Sequence, residues 1–311
     1  MKKQNTKSGE ENKKVVVVGG AGFIGSTLAD ALIEKGFSVE IIDNLSGGKM
    51  ENVNPKAKFH NADVCDLEAI KPIIKGAQFV FHFAALPRVQ YSIEKPVETS
   101  EVNVMGTLNV LVAAKEGGVK RVIYSASSSA YGDQPVMPLV ENMSASPKSP
   151  YGLQKYIGEL YCRLWSEVYG VETVSLRYFN VYGPRLDPSG AYALVIGKFL
   201  KQRSEGQALT ITGDGKQTRD FTHVHDVVRA NLLAAESTNV GKGEVINIGA
   251  GKNCSINDLA KMIGGKVEYV AARIEPHDTL ADNSLAKKLL GWEPQVSLEE
   301  GIDELKKIFK L

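Results

Sequence analysis

Four β-branched residues in a row, Val15-Val16-Val17-Val18, stop abruptly at Gly19. An uninterrupted apolar run of this length is the pattern of a strand covered on both faces. A helical alternation follows to about Lys35 and ends at Gly36, and a second apolar strand over 38–42 closes on Asp43. The rhythm then repeats. Strands are predicted over 58–61, 78–83, 119–124 and 172–178, with helices over 67–75, 97–116 and 151–169 between them. The second of these strands runs into Ala84-Ala85, and the third into the polar run Ser125-Ala126-Ser127-Ser128-Ser129. Alternation of this kind predicts an α/β chain built on a Rossmann-type, doubly wound parallel sheet. Its ligands belong at the carboxyl ends of the strands, so the loops after Val18, Ile42, Phe83, Tyr124 and Tyr178 should open on one edge.

After Asn180 the regularity fades. Helices are expected over 192–203, 227–235, 255–262 and 297–309, and strands over 209–212, 245–248 and 267–271. Ser297-x-x-Glu300 is a capping box, and Ser255-x-x-Asp258 resembles one. The expected organisation is a flexible leader over 1–14 and a dinucleotide-binding domain over 15–180. A smaller α/β substrate domain then covers most of 181–311, with the chain returning to the first domain over 220–250.

Composition narrows the class. In 311 residues the net charge is +1, which suggests neither a nucleic-acid nor an acidic-surface partner. The three cysteines, Cys65, Cys162 and Cys254, are far apart. Their spacing argues against a disulfide framework and against a local metal knuckle, so no metal is assigned and a reducing cytoplasm is expected. The leader has no apolar stretch of the kind a secretory signal carries, and no apolar run is long enough to span a bilayer. His223 and His225 read as structural residues at a strand-to-helix junction, and Trp165, Tyr161 and Tyr169 as packing residues.

Two stretches carry chemistry. Gly19, Gly22 and Gly25 lie between the first strand and the first helix. Glycines there permit a tight turn and let a pyrophosphate approach the helix N-terminus. Asp43, at the end of the second strand, is placed to bind a ribose 2′-hydroxyl and to repel a 2′-phosphate, which favours NAD over NADP. Further along, Ser149-Pro150-Tyr151-Gly152-Leu153-Gln154-Lys155 starts a helix, with Pro150 in its first turn. Tyr151 and Lys155 then share one face. A free phenol titrates near ~10, and an adjacent ammonium lowers that value, so the pair can act as a general base on a sugar or alcohol hydroxyl.

Together these motifs resemble the extended short-chain dehydrogenase/reductase family over nearly all of 15–311, and within it the nucleotide-sugar 4-epimerases. The resemblance rests on Gly19-Gly20-Ala21-Gly22-Phe23-Ile24-Gly25, Asp63-Val64, Tyr124 to Gly132, Tyr151-x-x-x-Lys155, Arg177-Tyr178-Phe179-Asn180-Val181-Tyr182-Gly183 and Arg219-Asp220-Phe221-x-His223-Val224. It implies Tyr151 as the base for the sugar 4-hydroxyl. Lys155 then binds the nicotinamide ribose and holds the tyrosine pKa down, and Ser127 or Ser128 hydrogen-bonds the same hydroxyl. It implies Phe23, Ile24, Asn44, Asp63, Val64, Phe83, Ala84, Ala85, Asn103 and Tyr178 along the cofactor. Asn180, Arg219 and Arg273 are implied to hold the UDP part, the arginines pairing with diphosphate. The implied partners are a UDP-sugar and a second copy of the chain, docked through the helices over 97–116 and 150–169.

The chain departs from the family at two places. Pro87-Arg88 stands where a lysine is common, leaving the role of Arg88 toward substrate open. Thr279 stands where enzymes restricted to UDP-glucose and UDP-galactose carry a bulky tyrosine. A small residue there leaves room for an N-acetyl group, so the expected pair is UDP-GlcNAc/UDP-GalNAc, with UDP-Glc/UDP-Gal as additional substrates. The segment Asp187-Pro188-x-Gly190-Ala191-Tyr192-Ala193 is similar to that of epimerases acting on UDP-N-acetylglucosamine. Dehydratases and decarboxylases on this scaffold carry an acid before Tyr-Gly, and Ser127-Ser128-Ser129-Ala130-Tyr131 lacks it. A UDP-glucuronate 4-epimerase and a non-catalytic NAD(H)-binding protein are the competing readings.

Overall fold

The structure is a computed structural model and describes residues 13–188, 194–271 and 278–311. The expected position of Arg273 and most of the segment 187–193 therefore lie outside the described residues. The first half runs β1 (Lys14–Val18), α1 (Phe23–Glu34), β2 (Ser38–Asp43), β3 (Lys58–Asn61), α2 (Leu67–Ile74), β4 (Phe79–His82), α3 (Val89–Glu94), α4 (Pro96–Ser100), a π-helical turn (Glu101–Gly106), α5 (Thr107–Glu116), β5 (Arg121–Ser127), α6 (Pro150–Tyr169) and β6 (Glu172–Tyr178). The second half runs β7 (Val181–Tyr182), α7 (Val195–Ser204), β8 (Leu209–Thr212), β9 (Thr218–Asp220), β10 (Thr222–His223), α8 (Val224–Glu236), β11 (Lys242–Ile248), β12 (Asn253–Ser255), α9 (Ile256–Ile263), β13 (Val267–Val270), α10 (Ser284–Leu290) and α11 (Leu298–Ile308).

Seven strands form one parallel sheet in the order β11-β6-β5-β4-β1-β2-β3. The alternation along β1 explains its apolar run. Val15 and Val17 join the core under α1 and α8, and Val16 and Val18 join the core under α2, α5 and α6. The order reverses between β1 and β4, and at such a switch point a crevice opens beyond the carboxyl ends of the strands. A second body has its own core of Phe199, Leu200, Leu209, Ile211, Leu259, Ile263, Ile302 and Leu305. Strand β11 and helices α8 and α10 pack on the large sheet, where Ala286, Leu290 and Trp292 join its core. None of the described helices is long and apolar enough to cross a membrane.

Several elements differ from their sequence expectation. The helix expected over 97–116 is broken into α4, the π turn and α5, and Asn103 in the π turn bonds the chain after β4. Strand β5 continues through Ser125 to Ser127, which the polar composition had suggested was loop, because its register with β6 runs on to Ser127 opposite Tyr178. Helices α3 and α10 were not expected, and α7 runs from Val195, the expected start at residue 192 lying outside the described residues.

Candidate active site

The cradle beyond β1 is built by close approach. Gly19 adopts φ +84°, and a Cβ there would lie 2.5 Å from the Ala84 nitrogen. A Cβ on Gly25 would lie 2.3 Å from the Gly19 carbonyl oxygen, so the first turn of α1 sits directly on the loop. The amides of Phe83 and Ala84 both donate to the Val18 carbonyl, at 2.7 and 2.9 Å, which closes the floor of the crevice. No side chain caps the N-terminus of α1 at Gly22, and amides left in this way suit a phosphate. Asp43 is buried at the end of β2 and accepts from the amides of Ala21 (2.9 Å) and Leu45 (2.8 Å). A carboxylate has about four acceptor sites, so both oxygens retain capacity for a ribose hydroxyl.

Asn44 donates to Asp63 at 2.9 Å, and Asp63 accepts from the amide of Cys65 at 2.8 Å. Burial opposes the Asp63 charge, but these two hydrogen bonds outweigh it and hold its pKa below the usual range. Val64 packs where a Cβ on Gly106 would lie 2.6 Å from its Cγ2. Phe23 and Ile24 pack their side chains into the core beneath α1, as Phe83 does after β4. These residues fit a dinucleotide: glycine turn, uncapped helix start and acid at the end of the second strand lie on one edge.

The catalytic candidates sit at the head of α6. Ser149 caps the helix by accepting from the Gly152 amide at 3.1 Å, and Pro150 occupies its first turn. The Tyr151 amide donates to Ser92 Oγ on α3 at 3.0 Å. Of the two serines the sequence left open, Ser127 is the one whose side chain acts on the Tyr151 phenol, lowering its pKa against the effect of burial. Ser128 instead starts a short 3-10 turn past the strand.

The expected depression of the Tyr151 pKa by Lys155 is not produced by the protein's own groups. Burial pushes the phenol up to about 12, against the pull of the Ser127 hydrogen bond. Lys155 donates to the Ser125 carbonyl at 2.7 Å and lies 4.9 Å from the centre of the Tyr124 ring. Burial lowers its ammonium to about 8, with Cys162 and Glu159 acting in the opposite sense. The lysine is thus poised near its titration point and held to the sheet.

Two further expectations shift in kind. Asn103 spends its amide on the chain after β4 and on α6. It accepts from the Leu86 amide (2.7 Å) and donates to the Leu86 carbonyl (3.1 Å) and to Gln154 (2.8 Å). It therefore shapes the loop carrying Phe83, Ala84 and Ala85, rather than presenting its side chain to a ligand. Tyr178 lies at the end of β6 with its hydroxyl paired to Asn231 of α8, and burial raises its pKa. Its ring is a fixed wall.

The substrate candidates Asn180, Arg219 and Thr279 converge. Asn180, at φ +31°, donates to the Asp220 carbonyl at 2.8 Å and to Thr279 Oγ1 at 3.4 Å. Thr279 Oγ1 also accepts from the Asp220 amide at 3.2 Å. Arg219 is largely buried and donates to the Thr218 carbonyl at 2.9 Å. Arg88 stands apart from this group and faces Asp187 at 3.9 Å. His223 bonds Glu304 of α11 at 3.0 Å, a packing role.

Four residues that position this site were not singled out from the sequence: Ser92, Ser125, Gln154 and Asp220. Ser125, Gln154 and Asp220 lie inside motifs that were, but their neighbours are distant in the chain. Gln154 donates to Thr99 and Ser100 at 2.9 and 3.1 Å and so ties α6 to α4.

Residues 15–249 match the NAD dependent epimerase/dehydratase family. Among solved structures, the chain is similar to UDP-glucose 4-epimerase of Thermotoga maritima with UDP-glucose, at 40% identity and TM-score 0.91, covering 96% of this chain and 98% of that one. The UDP-N-acetylglucosamine 4-epimerase of Methanobrevibacter ruminantium, in complex with UDP-N-acetylmuramic acid, matches with the same identity, coverage and TM-score. UDP-glucuronic acid 4-epimerase of Bacillus cereus, with UDP-glucuronic acid and NAD, is 34% identical at TM-score 0.87, over 96% of this chain and 99% of that one. A glycine cradle, an acid at the second strand and a Tyr-x-x-x-Lys helix on one sheet edge, matched over most of the chain, place this protein in the NAD-dependent epimerase/dehydratase family of isomerases and related enzymes.

Proposed function

We propose that this protein is a UDP-sugar 4-epimerase whose main substrate pair is UDP-GlcNAc and UDP-GalNAc, with UDP-Glc and UDP-Gal as additional substrates. The observation that carries the choice of sugar is Thr279, a small residue held against Asn180 and the Arg219-Asp220 strand in the substrate group. A residue of that size leaves space for an N-acetyl substituent. When bound, NAD supplies a reversible hydride acceptor.

The chain's own residues do the rest. Tyr151 exchanges the proton of the sugar 4-hydroxyl. Ser127, whose side chain draws the phenol pKa down against burial, orients that hydroxyl. Lys155 holds the end of β5 and supplies positive charge to the site. Arg219 and Asn180 grip the nucleotide end, which must stay fixed while the sugar turns.

Incubating the purified protein with UDP-GlcNAc and no added NAD, and following the sugar H4 by NMR, tests the reaction. Conversion to UDP-GalNAc is expected. Conversion of UDP-glucuronate alone would assign the substrate to the uronate instead. Thr279→Tyr tests the sugar pocket: kcat/KM on UDP-GlcNAc should fall by roughly 30-fold or more, and that on UDP-Glc by less than about threefold. Equal effects on both sugars would remove Thr279 from the argument.

A second copy of the chain is the proposed partner. On α6, Leu153, Leu160, Leu164 and Val168 leave about half of each side chain exposed, at spacings that put them on one helix face. Val97 and Met105 are exposed on α4 and the π turn, and exposed apolar side chains grouped along a helix face are the kind of surface a partner covers. Wild-type protein should run as a dimer in light scattering, and the double variant Leu160→Glu/Leu164→Glu as a folded monomer. A dimeric double variant places the interface elsewhere.

A further inference from the structure

The segment that carries Thr279 has almost no structure of its own, yet it is tied down along its length. At its start, Thr218 donates to the Asp278 carboxylate through its amide (3.1 Å) and its hydroxyl (2.6 Å). At its end, Leu139 donates to the Leu280 carbonyl at 2.7 Å and accepts from the Asp282 amide at 2.9 Å. Asn247 of β11 donates to the Asp282 carbonyl at 3.2 Å.

The centre of the segment is held by one side chain. Asp220, 0% exposed, accepts from the Ala281 amide through Oδ2 at 3.0 Å. The same carboxylate accepts from the amides of Ala250 (2.8 Å) and Gly251 (3.0 Å), in the loop that follows β11 on the large sheet. Its own amide donates to Thr279 Oγ1 at 3.2 Å. A Cβ on Gly249 would lie 2.3 Å from the Ala281 methyl carbon and 3.1 Å from Asp220 Oδ2, so the three chain segments meet with no spare volume. Burying a carboxylate is costly, and hydrogen bonds offset that cost. Three backbone amides converging from two segments offset part of it here, and an unbonded variant of this residue would leave those amides orphaned.

We infer that Asp220 is a specificity-positioning residue: by clamping residues 279–281 to the loop after β11, it fixes how far Thr279 stands from the sugar and so sets the size of group the pocket accepts. It touches neither the reacting atoms nor the cofactor cradle; it acts through the backbone of the gate. The part of this inference concerning sugar size rests on the proposed UDP-sugar reading, whereas the clamp itself rests on the hydrogen bonds alone.

The test separates the two. Asp220→Asn keeps one acceptor oxygen and turns an amide NH2 toward the donors of Gly251 and Ala281, with almost no change in volume. Hydrogen–deuterium exchange on the wild type and on this variant should show amides over 279–282 and 250–251 exchanging at least about tenfold faster in the variant, while α6 is unchanged. Calorimetric titration with UDP-GlcNAc and with UDP-Glc should show the ratio of the two Kd values moving by about tenfold. Retained NAD, read by fluorescence, should stay within about twofold of wild type.

Unchanged exchange over 279–282 overturns the clamp. Faster exchange with an unchanged Kd ratio overturns its role in sugar choice, and leaves Asp220 a purely structural residue. If the wild type binds neither UDP-sugar, the proposed function fails while exchange still decides the clamp. Should Asp220→Asn not fold, Thr279→Val in its place removes the Oγ1 acceptor at the Asp220 amide. It should shift the same Kd ratio in the folded protein, and an unchanged ratio overturns the inference.

Discussion

Tyr151→Phe is expected to lower kcat for 4-epimerisation by about 10²–10⁴-fold, the range that one positioned acid–base group supplies. KM should change by less than about threefold, because the nucleotide grip lies on Asn180 and Arg219 rather than on the phenol. The fold should be unaffected. The helix start is fixed by the Ser149 cap, by Pro150 and by the bond from the Tyr151 backbone amide to Ser92, none of which uses the phenol hydroxyl.

The size of the loss follows from what burial does to this group. Pushed up to about 12, the Tyr151 phenol keeps its proton at neutral pH unless a positive charge draws it off. The Lys155 ammonium, lowered to about 8, is charged at pH 7 but fixed on the Ser125 carbonyl. A hydroxyl that must both release and regain a proton cannot be replaced by Ser127 alone, whose own pKa is far higher. Steady-state kinetics by NMR or a coupled assay decides the matter, and a variant retaining more than about a tenth of the wild-type kcat assigns the base elsewhere.

The second large effect is on stability. Glu159→Ala is expected to destabilise the fold by about 3–5 kcal/mol, the cost of removing one partner of a buried ion pair. Glu159 and Arg177 are 2% and 4% exposed at the side chain, and the guanidinium donates to both carboxylate oxygens, at 2.8 and 2.6 Å. Arg177 also lies 4.4 Å from the centre of the Tyr131 ring. Losing the carboxylate strands a cation between α6 and β6, where no water can reach it.

The midpoint of thermal unfolding should drop by on the order of 10 °C. The paired replacement Glu159→Leu/Arg177→Met should lie closer to wild type than Glu159→Ala does, since it removes both charges and their desolvation cost together. A paired variant as unstable as Glu159→Ala would show that packing, not the stranded charge, sets the loss. Because Glu159 is one helical turn beyond Lys155 and its charge acts on that ammonium, the single variant should also lower activity.

What the sequence determined by itself is local. The apolar run Val15 to Val18, the glycine turn ahead of α1, the acid ending β2, and the Ser149-Pro150 start of α6 are each spelled out by a few neighbouring residues, even though Asp43 takes the Ala21 amide from 22 positions away. Periodicity and capping chemistry record such short patterns directly. For the same reason Tyr151 and Lys155 could be placed on one helix face, and Ser297 with Glu300 in a capping box, which α11 displays.

Tertiary structure decided whatever depends on which strand lies beside which. Ser127 rather than Ser128 meets the phenol because β5 stays in register with β6 three residues beyond its apolar stretch. Lys155 was expected to lower the Tyr151 pKa, and burial instead raises it while the ammonium donates to the Ser125 carbonyl. Asn103 became a loop clamp because a π turn rotates it toward Leu86 and Gln154. Arg121, which the sequence did not single out, donates to the carbonyls of Ala234, Ala235, Ser237 and Val240 and closes the end of α8. Asp220 likewise finds its three amides 30 to 61 residues away. Burial and distant hydrogen bonds set the charge state and orientation of these groups, and neither exists until the sheet order brings β11 and the 278–282 segment against β6 and β9.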